Sequence, residues 1–584
     1  MPLMGRLLPL RFSFNFKAKS QPLLVRLLLW AILVVASGVV LYLSVAYLAI
    51  PLFILLSPTL HPTLYELGFY GGSPSQTYFS NGLSSPRISI RKSDPQCDKA
   101  YTFLNFNGAS MVRKGPAILD PNNELVWKLE AEGTTTNLKL QTYKGEQYVT
   151  YWTGMKGGTM GRGIYHMLDA SYDLKHTVSA VGLGGDLHEF LISRDDTALL
   201  TFYNVTPADL SSLGKTKNGW LIDSGFQEVD ITTGELLFEW RASEHFQVNE
   251  TFMTHPFGGY FKSIPFDFFH INSVDKDSKG NYLISSRHTH SVTCLSPDGQ
   301  IVWILGGQRN QFEDLSGGEA LNFRWQHDAR WVDEEAGILT LFDNKEGGPL
   351  HVDGPYSRGV MLQLDVPNRT VTFLHEYASL HHTRTPSQGS TQYLPTSEHV
   401  FVGFGHSPVL SEFTLNGTLL CETHYGAPWL HPFDTAVSYR AFKAPNWVGI
   451  PREPPTAKIR DDVLYVSWNG ATEVAAWVLQ GASEQDEGFV DLDVVDKETF
   501  EETFELEQLS QYSWFRVAAL DRNGQVLRST EVIQRQSSSS WWSFLLAVFC
   551  WALLFRLAWM AYKWSSERGH ASSKGVSWVV WRKS

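Results

Sequence analysis

Six times between residues 120 and 420 the chain repeats a polar turn followed by a short apolar strand, and this repeat restricts its possible folds more than any other feature. The copies are Asp120–Trp127, Tyr172–Val178, Asp230–Leu237, Ser296–Trp303, Val366–Val371 and Leu415–Leu420, about 50 to 70 residues apart. A unit of a few antiparallel strands cannot bury both of its faces alone. Radial stacking around an axis covers the faces and leaves only short edges. Six imperfect repeats therefore predict an all-β fold, a six-bladed β-propeller over 95–450. The 20 Trp, 22 Tyr and 35 Phe, set among 47 Gly and 27 Pro, agree with aromatic strands cut by frequent turns.

The clearest unit begins at Phe268–Val274, turns at Lys279 and Gly280 and returns as Asn281–Arg287. It continues through His290–Leu295 to Ile301–Trp303, giving four strands by alternation and turn chemistry. After Pro451 the texture changes. A Pro-rich linker, 451–456, precedes a small β-sandwich over 457–536 that resembles a fibronectin type III module, with strands at Val463–Trp468, Tyr512–Ala519 and Val526–Thr530.

Outside these units the chain is apolar near both ends. Residues 24–56 carry one charge, Arg26, over more than the roughly 20 residues a spanning helix needs, and 541–562 are interrupted only by Arg556. Both stretches predict transmembrane helices, with 57–94 as a lumenal linker. Basic tails at 1–23 and 563–584 place both ends in the cytosol. The result is a double-pass protein held in the lipid bilayer by two spans, its propeller lumenal or extracellular, in the endoplasmic reticulum, secretory pathway or plasma membrane. Four Asn-x-Ser/Thr triplets, at Asn204, Asn249, Asn368 and Asn416, all lie between the spans as candidate glycosylation sites. The net charge is −12, and because 1–26 and 556–584 each carry +5, the middle carries −22. A field of that sign argues against nucleic acid and anionic lipid as partners of the large domain. Oligomeric state leaves no mark on the sequence. Cys97, Cys294 and Cys421 would share the oxidising side and allow three pairings, of which Cys97 with Cys421 would tie the start of the repeats to their last turn.

Three histidines occupy matching places in successive inner strands, in Asp186-Leu-His188, Phe269-His270-Ile-Asn272 and Gln326-His327-Asp-Ala-Arg330. Inner strands line the axis, so side chains separated by 82 and 57 residues can meet there. Taken singly, each imidazole could equally satisfy buried backbone groups. No His-x-x-x-His or Cys-x-x-Cys spacing and no Gly-rich loop ahead of a helix occurs, so neither a metal nor a cofactor is expected. Gly154–Gly163 reads as a mobile loop at the channel mouth and Asp343-Asn344 as a turn. His288 and His290 read as structural or rim residues, because alternation puts His288 on the face opposite Arg287.

Seven ordered motifs resemble a known family. Tyr148–Gly154, Leu168–Tyr172, Asp186–Phe190, Phe269–Val274, Ile284–Thr289, Gln326–Arg330 and Leu341–Asn344 together resemble the arylsulfotransferase superfamily, in particular its membrane-anchored fungal members, over about 95–430. The resemblance implies nucleotide-independent transfer of a sulfuryl group from an aryl sulfate to a phenolic acceptor through a sulfohistidine. It implies His327 as nucleophile, Arg287 as the fork that binds the anionic oxygens, protonated His188 or His270 as stabiliser of the departing phenolate, and Asn272 as a substrate ligand. Arg330, beside His327, could assist the substrate or pack the blade. The rival reading is a non-catalytic receptor or scaffold whose propeller binds a ligand or a partner protein. A quinone-dependent oxidoreductase would need a carboxylate cluster that the sequence lacks.

Overall fold

The computed structural model describes residues 23–45, 60–348, 351–485, 488–535 and Arg556. The body consists, among the described residues, of six sheets with four antiparallel strands each, three of them extended by a short fifth strand, here numbered I to VI. Sheet II runs Thr134–Tyr143, Glu146–Gly157, Met160–Leu168, Leu174–Val178, and sheet III runs Phe190–Ile192, Thr197–Ala208, Gly219–Asp230, Leu236–Arg241. Sheet IV runs Ile271–Lys276, Tyr282–Ser286, Ser291–Leu295, Ile301–Gly306, close to the strands expected from alternation. Sheet V runs His327–Asp333, Ile338–Asp343, Arg358–Asp365, Thr370–Tyr377, and sheet VI runs Ser390–Leu394, His399–Gly403, Val409–Thr414, Leu419–His424. Sheet I is composite: Ala441–Ala444 from the far end of the repeats pairs antiparallel with Tyr101–Phe106, followed by Gly115–Leu119 and Leu125–Lys128.

Each of the six sequence turns joins the third and fourth strands of one sheet, which is why their spacing equals one sheet's length. The first strands of neighbouring sheets touch one another in a closed circuit. The hydrophobic core is correspondingly divided, with one buried cluster in each gap between sheets. Phe103, Ile118 and Trp127 pack against Leu138, Val149 and Tyr151 between I and II. Phe226 and Trp240 pack against Ile271 and Ile284 between III and IV, and Phe342 and Met361 against Val400 and Phe413 between V and VI. Each buried aromatic or aliphatic side chain contributes about 1.5–3 kcal/mol, so the ring is stable only when every gap is filled.

Closure joins distant chain segments. Ser89–Lys92 adds an outer strand to sheet VI, and a disulfide links Cys97 to Cys421 with Cα atoms 6.1 Å apart. Cys294 is free and buried. Residues 60–94, read as a linker, instead form a short helix (Pro62–Glu66), a hairpin (Ser75–Thr77 with Ser84–Pro86) and that outer strand. Their segments are too short and polar for alternation to reveal. Thr456–Gln534 forms a three-stranded and a five-stranded sheet around their own core of Val466, Trp477, Leu479 and Phe515. This unit is docked on the ring. Tyr172 stacks on Trp127 at 5.0 Å, accepts a hydrogen bond from Trp447 and donates one to Gly470 O, and the Glu501 carboxylate accepts from the Phe79 and Ser80 backbone N–H groups.

Among the described residues no helix is long and apolar enough to cross a membrane. A helix does occupy Leu23–Ser44, with exposed apolar side chains from Trp30 to Tyr42, whereas the stretch 541–562 lies, apart from Arg556, outside the described residues. Asn249, Asn368 and Asn416 are exposed and Asn204 is half-buried.

The Cys97–Cys421 bond closes a separation of 324 residues. Replacing both by Ser is expected to lower unfolding stability by about 2–5 kcal/mol, measured as a fall in the urea midpoint; an unchanged midpoint would contradict this role in closing the ring.

Candidate functional site

The inner strands start at one face of the ring, and there the side chains form two layers. The deeper layer is ionic. Glu189, fully buried, pairs through Oε1 with Lys139 Nζ at 3.1 Å and through Oε2 with Arg440 Nη1 at 3.1 Å and with Arg330. Asp328 Oδ1 accepts from Arg330 Nε at 2.9 Å and lies 3.2 Å from Arg440 Nε, while Arg440 Nη2 donates to Asn272 O at 2.5 Å. These groups come from sheets I, II, III, IV and V, so the hub joins five of the six sheets at the axis. Burial alone would push the Glu189 carboxyl up, but Arg330, Arg440 and Lys139 outweigh it and hold it well below the usual carboxylate range. Burial lowers Lys139 to about 8 against the opposing pull of Glu189.

One residue back along the chain from three of the hub members begins the second layer: His188 precedes Glu189, His327 precedes Asp328 and Tyr439 precedes Arg440. The His188 and His270 rings lie 4.8 Å apart, and Tyr439 sits between His188 at 5.5 Å and His327 at 6.3 Å. Arg287, His270 and His188 all act electrostatically on His327. The structure thus brings together the four side chains expected to carry chemistry, all less than a tenth exposed.

Each of the three imidazoles has its Nδ1 held by a side-chain oxygen. His188 Nδ1 contacts Asp186 Oδ1, His270 Nδ1 lies 2.6 Å from Asp267 Oδ2, and His327 Nδ1 lies 2.7 Å from Asn344 Oδ1. The Asn344 amide is oriented by donating to Thr385 O and Gln388 O, so its oxygen must face the ring and the His327 proton sits on Nδ1. Nε2 then keeps the lone pair, where it accepts a 3.2 Å hydrogen bond from the Gln388 N–H. Burial first, and then the Arg287 guanidinium, hold His327 well below an ordinary histidine, and burial does the same to His270 and His288. His270 is therefore neutral, which corrects its expected role as a protonated stabiliser of the leaving group. Burial lowers Arg287 only to about 10, leaving it charged at neutral pH.

Other expectations change as well. Asn344 is fully buried as the partner of His327, not a surface turn residue. His288 is beside Arg287 and accepts from its Nη1 at 2.8 Å, because residues 287–290 leave the strand and alternation stops there. Gly154–Gly163 is a strand hairpin whose Gly161 N–H donates to Asp186 Oδ2 at 2.6 Å, not an irregular loop. At Gly163 any Cβ would sit 2.0 Å from Thr153 O, so this strand pairing requires glycine. Arg330 belongs to the ionic hub. Asn272 Nδ2 is committed to Gln326 O at 2.7 Å, between sheets IV and V. Tyr439, whose fully buried hydroxyl has no partner among the described residues, was missed by sequence reading, as were Asp267 and Tyr203, which stacks on His188 at 5.0 Å. None of the three lies at an equivalent position in a repeat.

Asp267, His270 and His288 bring potential ligand atoms within 4.8 Å of one another. Their protons and a neighbouring charge oppose a cation. Accepting from Arg287 at Nε2 leaves the His288 proton on Nδ1, which donates to Asp267 O at 2.7 Å, and the guanidinium itself would repel the metal. The cluster orients His270 instead. His270 and Asp328 have φ of +57° and +55°, a region that costs a non-glycine residue about 1–3 kcal/mol; such strain is retained where surrounding contacts dictate it.

Residues 139–426, which include every one of these histidines and Arg287, match the family model described as Arylsulfotransferase (ASST). No curated protein matches the chain. Among solved structures, a Lactobacillus plantarum protein is 12% identical, covering 70% of this chain and 99% of its own, with a TM-score of 0.31. The periplasmic gluconolactonase PpgL of Pseudomonas aeruginosa is 13% identical, covering 75% and 97%, at 0.32. Virginiamycin B lyase of Staphylococcus aureus is 6% identical, covering 65% and 96%, at 0.27. Likenesses at this level carry no argument about chemistry.

Because His270, His288 and His327 resist protonation in the folded state, the unfolded chain binds protons that the folded chain refuses once pH drops below about 6.5. Glu189 has the opposite charge and the same sign of effect: its depressed value contributes stability that is present above about 4.3 and lost on further acidification. Stability is therefore expected to be flat between about pH 6.5 and 7.5 and to fall from about pH 6.5 to pH 4 and below, in urea titrations over that range. Glu189→Gln is expected to remove about 3–5 kcal/mol at neutral pH by leaving buried cations unpaired.

Proposed function

We propose that the chain transfers a sulfuryl group from an aryl sulfate to a phenol through a covalent intermediate on His327, within a six-bladed propeller followed by a fibronectin type III-like sandwich. The observation that carries this reading is the fixed tautomer of His327, a buried neutral imidazole whose Nε2 keeps its lone pair, held by the Gln388 N–H until substrate displaces it, within the field of the Arg287 guanidinium. Arg287 binds the sulfate oxygens and draws charge from sulfur. Nε2 attacks sulfur, an N–S bond forms, and the S–O bond to the aryl group breaks with its electron pair leaving on the phenolate. The positive field of Arg287 and the protonated Tyr439 hydroxyl, whose acidity burial suppresses, stabilise that phenolate.

In the second half-reaction the neutral His270 acts as base. Its Nδ1–H is committed to Asp267, so Nε2 takes the proton of the acceptor phenol, whose oxygen attacks sulfur as the N–S electron pair returns to His327. The first phenolate leaves as the anion before the acceptor binds and takes its proton from water, and the proton on His270 returns to water, so atoms and charge balance over the cycle. Splitting one displacement into two in this way is the usual advantage of a nucleophilic side chain. Neither half needs a metal or a nucleotide. The two apolar stretches, 24–56 and 541–562, would hold the ring beside a membrane on its lumenal or extracellular side.

Ping-pong kinetics with a phenyl sulfate donor and a phenol acceptor are expected. His327→Ala should abolish transfer, and acid-labile addition of one SO3 to His327 should appear in mass spectra of donor-treated protein. Asn344→Ala should lower kcat by at least about tenfold with less effect on KM, because the tautomer is no longer fixed. Absence of transfer and of adduct with all tested pairs would leave the ring a ligand-binding scaffold.

A further inference from the structure

We propose that the face of the ring bearing the histidine layer rests on a bilayer surface; resting on the transfer reading above, it follows that the site receives amphiphilic aryl sulfates or phenols from the lipid.

All connections leading into the first strands, and all those between second and third strands, emerge on this face. The most exposed large apolar residues of the ring lie in or beside these connections: Met155 (78%), Trp429 (72%), Phe433 (72%), Phe257 (70%), Val112 (64%) and Phe261 (63%). On the opposite face, at the turns between third and fourth strands, exposure is lower, with Leu174 at 53%, Leu237 at 50% and Leu415 and Val302 at 41% each. Single exposed apolar residues are ordinary, but six of this size on one face are not. Trp and Phe side chains suit the interface between headgroups and acyl chains.

Charge selects the headgroup. The hairpin 154–163 and the connection 378–389 contain no Asp or Glu and hold Lys156, Arg162 and Arg384, whereas other connections of this face carry acids, among them Glu244, Glu250, Glu346, Asp353 and Asp434. Acids and bases are thus mixed on this face, and the net negative charge of the ring favours a bilayer of zwitterionic over one of anionic headgroups.

The route of the chain supplies the second argument. The apolar helix Leu23–Ser44 precedes residues 46–59, and the chain then joins the ring on this same face: Gly68 is packed so closely on Leu430, beside Trp429, that a Cβ would lie 2.4 Å from Leu430 Cδ1, and the Ala427 N–H donates to Gly72 O at 2.9 Å. A membrane-associated helix at that point would present this face to the lipid.

The test uses the full chain reconstituted in vesicles of phosphatidylcholine. The photoreactive residue benzoylphenylalanine replaces Phe257 or Phe433 and, as controls on the opposite face, Leu237 or Leu415. Illumination is expected to give lipid adducts from the first pair and none above background from the second. Equal adducts from both faces, no lipid adducts, or adducts to protein alone, as a protein partner or a second copy would give, overturns the docking. A kinetic arm separates this from the chemistry. The double variant Phe257→Ser, Phe433→Ser should raise KM for a long-chain alkylphenyl sulfate in vesicles and leave that for dissolved phenyl sulfate unchanged. Equal effects on both substrates overturn the lipid route, whereas loss of transfer with correct crosslinking counts against the reaction and not the surface.

Discussion

The ring is organised around one fully buried carboxylate. Glu189 holds Lys139, Arg330 and Arg440, and Asp328 shares two of those cations, so that strands from five sheets are tied to a common point on the axis. Burying charge costs several kcal/mol per ion unless every partner is in place. That penalty makes the hub selective: a ring with one sheet displaced would leave an unpaired ion in its centre. Apolar clusters in the gaps supply the bulk of the stabilisation, but they are adaptable, and the hub is where the register of the inner strands is least free to vary.

The hub also decides where the site lies. Glu189, Asp328 and Arg440 each follow a ring-bearing residue, His188, His327 and Tyr439. Anchoring one residue of each pair at the axis fixes the level at which its neighbour projects. The upper layer is then tuned by burial. Removal from water keeps His270 and His327 neutral, and a single oxygen behind each Nδ1 assigns the nitrogen that faces the centre. Unpartnered donors remain there, among them Arg287 Nε and the Tyr439 hydroxyl. Folded proteins seldom leave such groups unpaired, and their concentration at one end of the axis is what an anionic, oxygen-rich ligand would satisfy.

Much of the site was legible because repetition exposed it. His188, His270 and His327 stand at equivalent strand starts, and that equivalence survives in sequence however far apart the copies are. Arg287 was legible only through its motif. Asn344, Asp267 and Tyr439 were not legible, since each acts from a connection or strand end whose path depends on packing. His288 shows the limit of alternation: the rule holds while backbone pairing continues, and the chain leaves the sheet one residue before the rule would be applied.

By itself, the sequence determined the local periodicities: six turn-and-strand units, the change of texture near Pro451, and the apolar stretches at both ends, all consequences of side-chain preferences over a few neighbouring residues. Only the tertiary structure decided that Ala441–Ala444 completes the sheet begun at Tyr101–Phe106, that Cys97 meets Cys421, that Asn344 turns its oxygen towards His327, and that exposed aromatic connections gather on the histidine face of the ring. These are contacts between segments up to several hundred residues apart. No local preference encodes them, because they are chosen by closure of the ring and by the requirement that each buried charge and hydrogen-bonding group find its partner.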